Sequence, residues 1–166
     1  MKFPTDLVAA RHDTPLGPML LAATGRGLAG LWFEGQRHHP DASAWALAPQ
    51  DHPVIAAARR QLDEYFGGQR TAFDLPLDLQ GGTPFQRAVW QALLAIPTGQ
   101  RTSYAVLSQR IGRPAAVRAV GAAVGRNPVS IVVPCHRVVG TDGSLTGYAG
   151  GLERKTALLR LEGAAR

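Results

Sequence analysis

At Gly81-Gly82 the chain changes character, and in 166 residues, enough for one domain with a sizeable core or two small ones packed together, that break favours two. Ahead of the break, short apolar runs are punctuated by Gly and Pro, whereas beyond it apolar residues recur at helical spacing. Charge switches at the same place. Residues 1–80 carry 7 Lys+Arg against 9 Asp+Glu, and residues 81–166 carry 11 against 3. The pattern predicts an α+β protein of two small domains, 1–80 and 81–166.

In the first domain Leu7–Ala10, Met19–Ala22 and Leu28–Phe33 are separated by Pro15-Leu16-Gly17-Pro18 and Gly25-Arg26-Gly27, the pattern of an antiparallel meander. Residues 36–52 are expected to form a polar surface loop, with His38, His39 and His52 solvated in it. Pro53, capped by Asp51 or His52, opens a helix through Val54, Ile55, Ala58, Leu62, Tyr65 and Phe66 that Gly67-Gly68 ends. Phe73, Leu75 and Leu77 alternate like a further strand. No convergent acids, bases or phosphate-cradling glycines occur here, so this half is expected to be structural.

In the second domain Thr83-Pro84-Phe85-Gln86 is a capping box that opens a helix through Val89, Trp90, Leu93, Leu94 and Ile96. Ser103 caps a short helix from Tyr104 to Ile111, and Pro114 starts another from Ala115 to Val124. Joined by Gly112-Arg113-Pro114, these two make a helix-turn-helix pair. Val138-Val139 and Leu145 flank Thr141-Asp142-Gly143-Ser144 as a hairpin, and Leu152, Leu158, Leu159 and Leu161 mark a last helix. Helix-turn-helix followed by a hairpin describes a winged-helix-like module.

Cys135 is the only cysteine. One thiol excludes an internal disulfide, a Cys-x-x-Cys pair and any zinc site that needs two thiolates, and no metal or cofactor is expected. It follows the apolar run Val129–Val133 and Pro134, expected as a strand and its stop, and precedes His136-Arg137. A cationic setting at the end of an apolar run favours a reactive thiolate. An inert core cysteine is the other reading. On a strand, His136 would point away from the thiol unless the chain bends or water intervenes.

Ten of the eleven cations in the basic half are arginine, suited to phosphate. Arg118 is the one long side chain mid-helix in the 114–126 segment, which holds no Asn, Gln, Asp or Glu to read base edges. Its small residues Gly121, Ala122, Ala123 and Gly125 permit close approach to a backbone. Contact with DNA would then be independent of sequence, unless the helix is simply a buried Ala/Val core helix. No run reaches the roughly 18 apolar residues of a membrane span, and no signal-peptide core follows Met1-Lys2-Phe3. A cytoplasmic, nucleoid-associated location is the default expectation.

Taken together, Tyr104, Arg118-Ala119-Val120-Gly121, Asn127-Pro128, Pro134-Cys135-His136-Arg137-Val138 and Gly147-Tyr148-Ala149-Gly150-Gly151 resemble the O6-alkylguanine-DNA alkyltransferases, also called methylated-DNA–protein-cysteine methyltransferases. The resemblance covers residues 83–163, and Thr14-Pro15-Leu16-Gly17-Pro18 fits the family's N-terminal domain. It implies an RNase H-like α/β N-terminal domain and a helical, winged-helix-like C-terminal domain. It further implies transfer of an alkyl group from guanine O6, and in some members thymine O4, to Cys135. His136 would be the base acting through water, Glu162 would orient and polarise it, and Asn127 would brace the turn before the active site. Tyr104 would hydrogen-bond the flipped guanine, Arg118 would fill the gap in the stack, and the helix with Ala119, Gly121 and Ala122 would enter the minor groove. The Ala149 N–H and the carbonyls of Cys135 and Val138 would meet the base.

Relative to some members Ser130 replaces a proline and Ala149 a serine, and both are expected to line the pocket beside Val138 and Tyr148. The expected partner is double-stranded DNA carrying alkylated guanine, bound by a monomer, with cooperativity along DNA left open. With no second thiol to release a thioether, one turnover per molecule is expected. Two rivals are a lesion sensor, which would lack the acceptor cysteine, and a winged-helix transcription factor, which would need base-reading side chains.

Overall fold

The computed structural model describes residues 1–164. Strands β1 (Val8–Thr14), β2 (Gly17–Thr24) and β3 (Gly27–Phe33) form the expected antiparallel meander. A short strand β4 (Ala46–Leu47) pairs parallel with β1, giving the order β3-β2-β1-β4. β4 was not anticipated inside the 36–52 loop. It is held there because Trp45 packs with Phe3 and Trp32 in a small apolar cluster on the outer face of the sheet.

Helix α1 (Pro53–Phe66) starts as expected, with His52 as its cap, and lays Ile55, Ala58, Leu62 and Tyr65 against the sheet. The 73–77 segment, by contrast, is not a strand. Pro76 has no N–H for a ladder, so the segment docks through two backbone bonds at 2.8 Å, from Leu28 to the Pro76 carbonyl and from Asp78 back to Leu28. Gly27 is required at this crossing, since a Cβ there would lie 2.4 Å from the Pro76 oxygen.

Helix α2 (Pro84–Leu93) carries both halves of the Thr83/Gln86 capping box, and the Trp90 indole donates to the Ala123 carbonyl at 2.9 Å. Helices α3 (Tyr104–Arg110) and α4 (Val117–Gly125) pack together and against α2 across the turn at Gly112, whose φ is +73°. α4 begins at Val117 rather than Ala115. Ala116 stands at the cap position with no side-chain acceptor, so the first turn is not extended toward Pro114. Arg118 consequently sits in the first turn of α4, not mid-helix.

The expected hairpin after Val138 is also corrected. Strand β6 (Val138–Val139) pairs parallel with β5 (Thr102–Ser103), and residues 140–144 close as a tight loop. The buried Lys155 ammonium, on helix α5 (Leu152–Leu161), explains the difference: it takes the Val138 carbonyl at 2.6 Å and the Gly147 carbonyl at 2.8 Å, tying off the loop ends.

The two halves share one core. Met19, Leu21 and Phe33 of the sheet join Val89, Trp90, Val129, Cys135 and Leu158 in a single buried cluster. The open edge of β3 is covered too, because Leu31 donates to Pro128 at 2.8 Å and accepts from Ser130 at 2.9 Å. The segment leading to the cysteine is thereby fixed to the sheet. Among the described residues no helix is long and apolar enough to cross a membrane.

Candidate active site

Residues 129–133 are not the strand that their apolar run suggests. The Asn127 amide donates to the Val133 carbonyl at 2.8 Å and to Val129 at 3.4 Å, and its oxygen accepts from the Val129 N–H at 3.0 Å. With Pro128 and Pro134 unable to donate, the run curls into a tight loop that forces Ile131 to φ +73°. A β-branched residue in that region is strained by about 1–3 kcal/mol.

The loop delivers Cys135, 5% exposed, into a 3₁₀ turn spanning Cys135–Arg137. That turn removes the opposite-face problem a strand would have posed for His136. His136 is fully buried, and its Nε2 lies 2.8 Å from Glu162 Oε2 at the C-terminal end of α5. Glu162 also accepts from Arg137 Nε at 2.9 Å, from Arg137 Nη2 at 3.0 Å and from the Tyr65 hydroxyl at 2.6 Å. Arg137 is itself held by the Ile96 carbonyl and by Thr98.

These contacts settle the protonation states. Burial alone would raise the Glu162 carboxyl, but the donors from His136 and Arg137 outweigh it and hold the pKa at about 2. The carboxylate accepts a proton-bearing Nε2, which leaves His136 Nδ1 as a buried nitrogen without a partner. Burial lowers the imidazole pKa further than Glu162 raises it, so the ring is neutral. Burial likewise pushes the Cys135 thiol up, against opposing pulls from Asn127 and Lys155. Burial thus opposes the thiolate that the cationic run favours, while Asn127 and Lys155 support it. Lys155 is lowered by burial to about 8, partly restored by Cys135.

Cys135 opens onto a cavity of about 380 Å³. Tyr104, Gly121, Ala122, Tyr148 and Ala149 line it. Ser130 and Val138 do not, since both are buried behind it. Asn127, His136 and Glu162 form the support behind the thiol, and Arg118 and Ala119 lie exposed on α4 away from the cavity wall. The Cys135 carbonyl accepts from the Val138 N–H and the Val138 carbonyl from Lys155, which leaves each oxygen a second lone pair.

Sequence reasoning gives no role to Tyr65, to Lys155, to Arg126 at the end of α4, or to the pair Arg37 and His38, which line the cavity from the first domain. Only the last had a local signal, their position in a polar loop, and it was read as solvated surface. Tyr65 and Lys155 look like ordinary helix residues until the fold aims them at Glu162 and at the loop ends.

The family model for the 6-O-methylguanine DNA methyltransferase ribonuclease-like domain matches residues 7–79, and that for its DNA binding domain matches residues 84–164. A methylated-DNA--protein-cysteine methyltransferase of Mycobacterium tuberculosis is 49% identical over 150 residues, 90% of this chain and 88% of that protein. One from Methanosarcina barkeri is 45% identical over 151 residues, 90% of this chain and 93% of that protein. The crystal structure of the M. tuberculosis protein in complex with DNA superposes with a TM-score of 0.84 at 46% identity, over 95% of this chain and 92% of that one. This chain belongs to the 6-O-methylguanine DNA methyltransferase family.

Proposed function

We propose that this protein repairs DNA directly, by moving the alkyl group of O6-alkylguanine onto the Cys135 sulfur, once per molecule. The observation that carries the reading is the 3₁₀ turn that holds buried Cys135 and His136 in succession, with His136 Nε2 held by Glu162 and its Nδ1 unpartnered. The Cys135 proton passes through a water to Nδ1, and the sulfur electron pair forms a bond to the alkyl carbon. The carbon–O6 bond breaks, its electron pair stays on guanine, and the proton held by His136 passes on to the guanine, which leaves neutral. Tyr104, on the cavity wall, stabilises the departing guanine, as does the Ala149 N–H. The product is a thioether with no second thiol to reverse it.

A guanine stacked in duplex DNA cannot reach a buried thiol, so the base must turn out into the cavity at a cost of a few kcal/mol. Arg118, exposed in the first turn of α4, fills the gap left behind, and the small outward residues Ala119 and Ala122 let the helix lie close in the minor groove. Every group the reaction uses belongs to one copy, so the protein acts as a monomer wherever genomic DNA is exposed to it, in the cytoplasm and at the nucleoid. Residues 81–166 supply the chemistry and residues 1–80 its support. Cys135→Ser is expected to abolish methyl uptake from an O6-methylguanine duplex while the duplex still binds in a gel-shift assay. Methyl found on the Cys135→Ser protein would refute the assignment.

A further inference from the structure

The cavity has a rim that the reaction chemistry leaves unused. Arg37 and His38 reach it from the segment after β3, and Arg126 reaches it from the end of α4. All three are exposed. Three of the other arginines of the first domain find acids, Arg11 with Glu34 and both Arg60 and Arg70 with Glu64. Among the described residues neither Arg37 nor Arg126 has such a partner, and no Asp or Glu lines the cavity.

The segment that carries Arg37 is held in place. Buried Gln36 accepts from the Phe33 N–H at 2.8 Å and donates to the Arg37 carbonyl at 3.1 Å, and the Arg37 N–H donates to the Ala149 carbonyl at 3.0 Å. His38 sits at φ +58°, a left-handed conformation that persists in a non-glycine residue when its surroundings impose it. Burial, then Arg126 and Arg37, lower its imidazole pKa, so the two guanidinium groups are the fixed charges of the rim. Unneutralised cations beside a low-dielectric cleft attract an anion.

We propose that Arg37 and Arg126 form a seat, built from both domains, for the backbone phosphate of the nucleotide whose base occupies the Cys135 cavity. The proposal rests on the alkyl-acceptor reading above: a nucleotide that sends its base to Cys135 leaves its sugar and phosphates at the mouth. Guanidinium forks suit that phosphate better than a point charge does. The first domain then takes a direct part in holding the substrate.

The test is a two-way cycle. Wild type and Arg37→Gln/Arg126→Gln protein are given O6-methylguanine duplexes with ordinary phosphates, or with one uncharged methylphosphonate at either phosphate flanking the lesion. The rate of methyl uptake on the Cys135 peptide is measured at subsaturating duplex. One of the two methylphosphonates is expected to slow the wild type about tenfold, the double variant to lose about as much on ordinary DNA, and the combination to lose little more. Losses that multiply at both positions would overturn the seat. A wild-type protein that takes up no methyl from ordinary duplex would instead overturn the alkyl-acceptor reading itself.

Discussion

His136 and Cys135 are both pushed by burial toward their neutral forms, and this decides how the thiol reacts. A Cys pKa above its ordinary value means that free thiolate is scarce at neutral pH. Iodoacetamide labelling of Cys135 is therefore expected to keep rising through pH 9, and a plateau below pH 8 would show a preformed thiolate. Glu162 has the opposite sign. Its folded pKa near 2 lies below the unfolded value of about 4.3, so its stabilisation is complete above the unfolded pKa and is lost as pH falls toward 2. Glu162→Gln strands the buried Arg137 guanidinium and is expected to cost about 3 kcal/mol in urea denaturation at pH 7; an unchanged midpoint would contradict the network. The Pro134-Cys135-His136-Arg137-Val138 run was legible because its chemistry is contiguous in sequence. Its protonation state was not, because desolvation depends on what the other elements place over it.

Among the elements, the loop from Asn127 to Pro134 carries the largest departure from its sequence pattern. Four β-branched apolar residues within five positions have strand propensity, yet one amide that satisfies three backbone groups curls them into a strained loop. Asn127→Ala leaves those buried groups short of partners and is expected to lose about 2 kcal/mol, with methyl uptake falling further than stability alone explains. A variant that melts and reacts like wild type would remove Asn127 from the site. Capped helices were readable, because Thr83, Ser103 and the residues around Pro53 announce their own boundaries. β4 and the pairing of β5 with β6 were hidden, since two-residue strands have no period to read and their partners lie far off in the chain.

At the scale of the whole molecule, the Gly81-Gly82 break predicts two units, but the core they share is continuous and the β3 edge is sealed by residues 128–130. Unfolding is expected to be one transition, with Trp32 and Trp45 of the first half and Trp90 of the second reporting the same urea midpoint; separated midpoints would mean independent domains. The Tyr65 hydroxyl crosses between the halves to the same Glu162 oxygen that holds His136. Tyr65→Phe frees that oxygen to bind the imidazole more tightly, which raises the His136 pKa and is expected to move the acid limb of the methyl-uptake rate to higher pH. A purely structural role would lower the rate without moving that limb.

The central claim is that Cys135 is a consumed reagent, and counting methyl groups tests it most directly. With a large excess of O6-methylguanine duplex, intact and peptide mass spectra are expected to show one methyl per protein, all of it on Cys135, and the lesions repaired are expected to equal the protein added. Repair that continues past one lesion per molecule, or methyl that never appears on Cys135, would contradict the account.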